Sequence, residues 1–287
     1  MEIDYSQLSP MMQHYMETKK EYPDCILFYR LGDFYEMFFD DALKASKELE
    51  ITLTGKECGL KERAPMCGVP FHAVDSYLYR LVQKGYKVAI AEQMEDPKLA
   101  KGLVKREVIR VVTPGPITSA QALDETKNNY LMGIVYLDSR YGISTADIST
   151  GEFLVTEVES DRELFDEINK FSPSEIICNN AFYVSGVDLD ELKNRYQVAI
   201  SALDSHFFSD ESCKKVLKEH FKVGSLSGLG LDDYPTGVIA AGAVMEYMYE
   251  TQKSTLEHIT TITPYSTGQY MVIDTSTRRN LELVETM

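Results

Sequence analysis

Short apolar and aromatic runs alternate along this chain with stretches whose apolar side chains recur every three or four positions. Cys25-Ile26-Leu27-Phe28-Tyr29-Arg30 predicts a strand over 25–31, and Phe38, Ala42, Ala45 and Leu49 predict a helix near 36–49. Ser9-Pro10 reads as a helix start, with serine as N-cap, proline at the first helical position, and Met12, Tyr15 and Met16 as the apolar stripe behind them. Ile51-Thr52-Leu53-Thr54 predicts a further strand. Leu78, Leu81 and Val82 predict a helix ended by Gly85 at C′. Strands over 86–91 and 108–112 follow, joined by a polar, basic loop from Lys98 to Arg106. The first 113 residues therefore predict a mixed-sheet α/β domain.

Thr113-Pro114-Gly115-Pro116 is the sharpest break, and 114–127 has no strong period and reads as a linker. The stretch 128–262 reads as a second domain. Its first strand, 130–137, turns at Asp138-Ser139-Arg140, returns through 142–148, and turns again at Ser149-Thr150-Gly151 into Phe153-Leu154-Val155. Helical and strand patterns then alternate: Leu164, Phe165 and Ile168 on a helix, 175–178 and 197–200 as strands. An antiparallel meander followed by α/β units suits a ribonuclease-H-like sheet. Val244, Met245 and Met248 mark one face of a long helix over 238–253. Met271 to Asp274 predicts a short strand, and Ser276 to Met287 a helix without a stop signal.

The composition is that of a water-soluble globular chain, with no apolar run near 20 residues and no signal-peptide pattern at its acidic start. Five scattered cysteines without a Cys-x-x-Cys pair argue against a zinc ribbon or disulfide framework and fit the reducing cytoplasm. The net charge of −16 is unevenly spread. Residues 1–113 hold 16 Lys and Arg against 18 Asp and Glu, a net of −2, whereas 114–287 hold 13 against 27, a net of −14. Within 44–110 the balance is 13 to 9, or +4. Nucleic-acid binding rests on neutralising phosphates, so any such ligand belongs to the first domain and should bind it weakly.

Gly32-Asp33-Phe34-Tyr35-Glu36-Met37-Phe38 stands where the pattern passes from strand to helix. Asp33 can serve there as N-cap and Glu36 as the far side of a capping box, leaving Phe34 either to fold inward or to project toward a ligand. Five further blocks accompany this one: Pro10-Met11-Met12-Gln13-x-Tyr15, Pro65-Met66-Cys67-Gly68-Val69-Pro70-Phe71-His72-Ala73, Val88-Ala89-Ile90-Ala91-Glu92-Gln93, Arg110-Val111-Val112-Thr113-Pro114-Gly115 and Thr277-Arg278-Arg279-Asn280-Leu281-Glu282-Leu283. In that order, with Phe28 to Glu36 among them, they closely resemble the N-terminal region of the bacterial MutS family of DNA mismatch-recognition proteins.

The resemblance implies a mismatch-recognition domain over 1–113, a ribonuclease-H-like connector domain over 128–262, and the start of a helical core domain over 263–287. The last would make the chain a fragment of a longer protein. Phe34-x-Glu36 falls on the family's mismatch-reading Phe-x-Glu motif, which makes Phe34 a wedge entering from the minor groove and Glu36 a probe of the displaced base. Such a carboxylate can accept from a base N–H, or, once protonated, donate to a purine N7. Asp33 is a further candidate DNA contact, as are Met66, Gly68, Pro70 and His72 in a Pro- and Gly-rich segment over 65–72 read as a loop; Lys56, Lys61, Arg63, Lys105, Arg106 and Arg110 are candidate phosphate contacts. The implied partners are double-stranded DNA with mismatches or small unpaired loops, and MutL through the connector. Self-association is expected mainly through parts outside this stretch. No Gly-x-x-x-x-Gly-Lys-[Ser/Thr] occurs, so no cofactor or enzymatic activity is expected here, and the resemblance implies that ATP and Mg²⁺ belong to the full-length protein. The rival expectation is a metal-dependent nuclease using Asp138 and Asp147 of the ribonuclease-H-like sheet.

Overall fold

A computed structural model describes residues 7–95, 102–115, 128–196 and 198–267, which divide into two compact units. The strand expected over 271–274 and the helix expected over 276–287 lie outside the described residues, as does most of the expected linker.

The first unit runs α1 (Pro10–Glu21), β1 (Cys25–Leu31), β2 (Phe34–Phe38), α2 (Phe39–Leu49), β3 (Thr54–Lys56), β4 (Ala64–Pro70), a 3₁₀ turn at Phe71–Ala73, α3 (Val74–Gln83), β5 (Lys87–Gln93) and β6 (Arg106–Val112). Its six strands lie in the order β3-β4-β2-β1-β5-β6, all pairs antiparallel except β1 with β5. Period-2 alternation sorts the central strands between two faces. Tyr29 and Phe38 join Met12 and Tyr15 of α1 in one buried cluster, while Tyr35, Met37 and Val69 are buried from the opposite face. Ser9 and Pro10 take the expected N-cap and first helical positions, although the Ser9 hydroxyl makes no cap hydrogen bond, and Gly85 takes the expected left-handed conformation at φ +83°.

Three expectations fail here. The helix expected from 36 begins at Phe39, because Phe34–Phe38 is a strand; Asp33 and Glu36 consequently form no helix cap. Leu31 pairs with Phe34, leaving Gly32-Asp33 as a two-residue hairpin turn. Only the first of these has positive φ (+57°), the pattern that calls for glycine at that place. The strand expected over 51–54 is confined to Thr54–Lys56. The segment read as a Pro- and Gly-rich loop is strand β4, tolerating its two prolines at second and last positions.

The second unit runs β7 (Leu131–Leu137), β8 (Arg140–Asp147), β9 (Glu152–Val158), α4 (Asp161–Phe171), β10 (Glu175–Cys178), α5 (Asn180–Tyr183), α6 (Leu189–Tyr196), β11 (Ala199–Ala202), a 3₁₀ turn at Ser205–Phe208, α7 (Asp210–Phe221), a 3₁₀ turn at Leu226–Leu229, α8 (Pro235–Gln252) and β12 (Thr263–Pro264). The order β11-β10-β7-β8-β9-β12 combines an antiparallel β7-β8-β9 meander with parallel β10 and β11, as a ribonuclease-H-like sheet requires. The expected one-sided α8 is instead buried on most sides, from Val238 through Met248. It lies directly on the sheet: a Cβ at Gly142 would come within 2.3 Å of the Thr236 backbone. No helix among the described residues is long and apolar enough to cross a membrane.

Helix α4 starts with a reciprocal cap, Glu163 N–H to Ser160 Oγ at 3.3 Å and Ser160 N–H to Glu163 Oε2 at 3.1 Å. The Ser160 hydroxyl is the main cause holding the Glu163 carboxyl below its ordinary range. A carboxyl depressed in the folded state stabilises above its unfolded pKa, and that contribution disappears as pH falls through the folded value. Ser160→Ala should cost about 1 kcal/mol at neutral pH, and clearly less near about pH 3, in urea unfolding.

Candidate nucleic-acid interface

The β1–β2 hairpin and its neighbour β4 bring the expected DNA-reading residues onto one sheet face. Phe34 stands opposite Pro70, Glu36 opposite Gly68, and Phe38 opposite Met66. From Phe38 the row runs outward from beneath α1, through half-buried Glu36, to Phe34, whose ring is 46% exposed. Phe34 is thus an apolar side chain held at the open end of a strand rooted in the core. Gly68 keeps the ground beside Glu36 clear, since a Cβ there would sit 3.5 Å from Glu36 Cγ and 3.3 Å from the Tyr35 carbonyl oxygen.

The hairpin is braced from its other face. Arg30 donates from Nε to the Gly32 carbonyl at 2.5 Å and stacks its guanidinium 3.8 Å from the centre of the Phe71 ring. Glu92 accepts from the Tyr35 hydroxyl at 2.5 Å and pairs with Arg30 at 3.5 Å. Burial, and then the Glu92 carboxylate, push the Tyr35 hydroxyl up to about 12, so it remains a donor to that carboxylate. The Phe71 N–H closes onto the Asp33 carbonyl at 2.9 Å. Sequence reasoning assigned no role to Arg30, Tyr35, Phe71 or Glu92, although each lies inside one of the blocks quoted above. The signal was present; only the sheet register shows that they converge.

The remaining candidates divide. Asp33 and His72 are exposed, Met66 and Pro70 half-buried. Lys56, at 34% exposure, is committed to Glu36 through a 2.5 Å ion pair. Lys61 and Arg63 are exposed between β3 and β4, and Lys105 is exposed beside Glu107. Basic side chains thus lie toward both edges of the sheet, and β3 and β6 are five strand spacings, or about 24 Å, apart. Arg110 on β6 is half-buried. Arg106 departs from the expectation of a phosphate contact. It is 6% exposed, with its guanidinium donating to the carbonyls of Arg30 and Val104, both at 2.7 Å, and facing the Tyr29 ring.

The nuclease alternative fails on geometry. Asp138 is the exposed first residue of a two-residue turn, with φ positive at both Asp138 and Ser139. Asp147 closes the other end of β8, about 23 Å away for an eight-residue strand. It is 1% exposed and accepts from the Ser149 N–H and hydroxyl at 2.8 and 2.7 Å, as the acceptor of a turn. Among the described residues, no cluster of His, Cys, Asp or Glu could hold a metal ion.

Comparison with known proteins supplies the remaining constraint. The family model described as MutS domain I matches residues 9–121, and that of MutS domain II matches 129–260. A DNA mismatch repair protein MutS from Lachnoclostridium phytofermentans is 65% identical over 98% of this chain. The proteins of that name from Acetivibrio thermocellus and Clostridioides difficile are 55% and 47% identical over 98% and 100% of it. The chain spans 30% to 32% of the length of these three relatives. Two domain models matched in order, on two units whose sheets have the topologies described, establish that the chain belongs to the MutS family.

Proposed function

We infer that the first unit reads mismatched DNA and that the chain is a binding module without a catalytic step of its own. The observation that carries this reading is Phe34: a half-exposed phenyl ring at the end of a braced, core-rooted hairpin, two residues along the same strand face from the Glu36 carboxylate. Wedging an apolar side chain between base steps costs a few kcal/mol of unstacking, and costs least where pairing is already compromised. The discrimination is therefore mainly one of duplex deformability. The minor groove, about 6 Å wide, admits a ring carried at the first strand position after a two-residue turn. Glu36 then meets the edge of the displaced base, while Lys56, Lys61, Arg63 and Lys105 position the backbone. Met66, Gly68, Pro70, His72 and Arg110 belong to the surroundings of this contact. In the longer family members, the second unit would relay ATP-dependent changes and contact MutL, with ATP and Mg²⁺ acting outside this stretch.

Low-salt fluorescence anisotropy of the 287-residue chain on G·T, unpaired-T and matched duplexes tests the reading. The expected result is weak binding with a clear preference for the first two. Equal affinity for all three would remove the mismatch-reading role.

A further inference from the structure

The ion pair between Glu36 and Lys56 has a consequence for how recognition is coupled to affinity. We propose that Lys56 is a conditional phosphate contact, released to the DNA backbone only when a mispaired base has taken over the Glu36 carboxylate. The proposal rests on the reading of Glu36 as the base-edge probe.

Lys56 is on β3 and Glu36 on β2, with β4 between them, so the ammonium must reach past β4 to make its 2.5 Å contact. Glu36 stands opposite Gly68 but Lys56 pairs with Ala64, so the lysine stem runs diagonally over β4, across the level at which Met66 faces Phe38. The ammonium lies 5.5 Å from the centre of the Phe38 ring, a residue fixed in the core. Both charges are partly exposed, at 34% and 17%, and such pairs are weak and exchangeable. An incoming phosphate therefore competes for Lys56, but taking it strands the Glu36 carboxylate in a groove from which water is being displaced.

A matched base pair offers that carboxylate little, since its imino proton is already engaged within the pair. Lys56 then stays with Glu36, and the duplex loses one phosphate contact. A displaced base offers an N–H, or an N7 that a protonated Glu36 can serve. Either bond frees Lys56. Mismatched and matched complexes then differ by one neutralised phosphate.

The signature is in the salt dependence. Each phosphate neutralised on duplex DNA adds about 0.9 to the slope of log affinity against log salt. The wild-type slope should be steeper by about 0.9 on G·T than on matched DNA. Its mismatch preference should accordingly fall about sixfold between about 20 and 150 mM salt. Lys56→Ala should give equal, shallow slopes on both duplexes. Glu36→Gln should give equal, steep slopes and tighter binding to matched DNA, because Lys56 is then free on both. Thermal melts verify that the variants fold. Parallel wild-type slopes alongside a mismatch preference overturn the conditional contact and leave the Phe34 reading standing, as does a slope difference that survives in Lys56→Ala. A wild type without any mismatch preference removes both.

Discussion

Phe34→Ala is expected to weaken binding to G·T and unpaired-T duplexes by about 10- to 100-fold, while binding to matched duplex changes less than about threefold. Base–aromatic stacking is worth about 1–3 kcal/mol per base, or about 5- to 150-fold, which brackets that range. Matched DNA is held mainly through phosphates, and Phe34 is not among the candidate phosphate contacts. The fold should not suffer, because the ring is half outside it and the row it belongs to is anchored by Phe38. Competition anisotropy at low salt, with urea unfolding as control, gives both numbers. A variant that keeps its mismatch preference would transfer the wedge role elsewhere; one that loses matched binding equally would show that Phe34 contributes ordinary surface contact. Phe34→Tyr should retain most of the preference, since it keeps the ring.

The contrast between β1 and β2 shows what a sequence pattern conveys. Strand β1 is legible at both ends because five consecutive residues are buried, giving an apolar run no helix stripe would share. Strand β2 is not legible. Its five residues abut α2 without a spacer, and Phe38 lies four positions before Ala42, so the helical period extends backward into the strand. The chain turns at Phe39 with φ +53°, where no glycine or asparagine announces the change. For β4, Pro65, Gly68 and Pro70 spell a loop by composition. The two prolines pair across to Gly55 and Phe34, near the ends of the ladder where a missing N–H does least harm.

The site divides along the same line. Phe34 and Glu36 were accessible through the blocks they belong to, because a recurring residue pattern carries function even where its local structure is misread. Their partners were not. That Gly68 faces Glu36, that Lys56 reaches it past β4, and that Arg30 stacks on Phe71 are consequences of register, which brings together residues 20 to 41 positions apart. Arg106 shows the converse error. Its charge suggests a phosphate, but the fold places it over Tyr29 with two backbone carbonyls to satisfy, and a buried guanidinium is stable there only because it donates to both.

Asp41→Ala should destabilise the first unit by about 3–5 kcal/mol, the range for removing one partner of a buried charge network. Asp41 is 3% exposed and ties three elements together. It accepts from the Leu27 N–H at 2.9 Å and the Tyr15 hydroxyl at 3.2 Å with one oxygen, and from Lys19 at 2.9 Å with the other. Burial, reinforced by this carboxylate, pushes the Tyr15 hydroxyl well above its ordinary range, which keeps it a donor. The same hydroxyl accepts from the Phe38 N–H at 3.2 Å, so the network fixes the inner end of the strand whose outer end is Phe34. Alanine would orphan a buried backbone N–H and unbalance Lys19 in one step. Asparagine keeps an acceptor for Leu27 and should cost less. Lys19→Met should cost less than alanine at 41, because Lys19 is 22% exposed and its loss leaves Asp41 with two donors. Urea unfolding of the three variants orders them. Should Asp41→Ala prove no worse than Lys19→Met, the carboxylate is not the centre of the network, and the rigidity of the Phe34 strand must come from packing of Tyr15 against Phe38 alone.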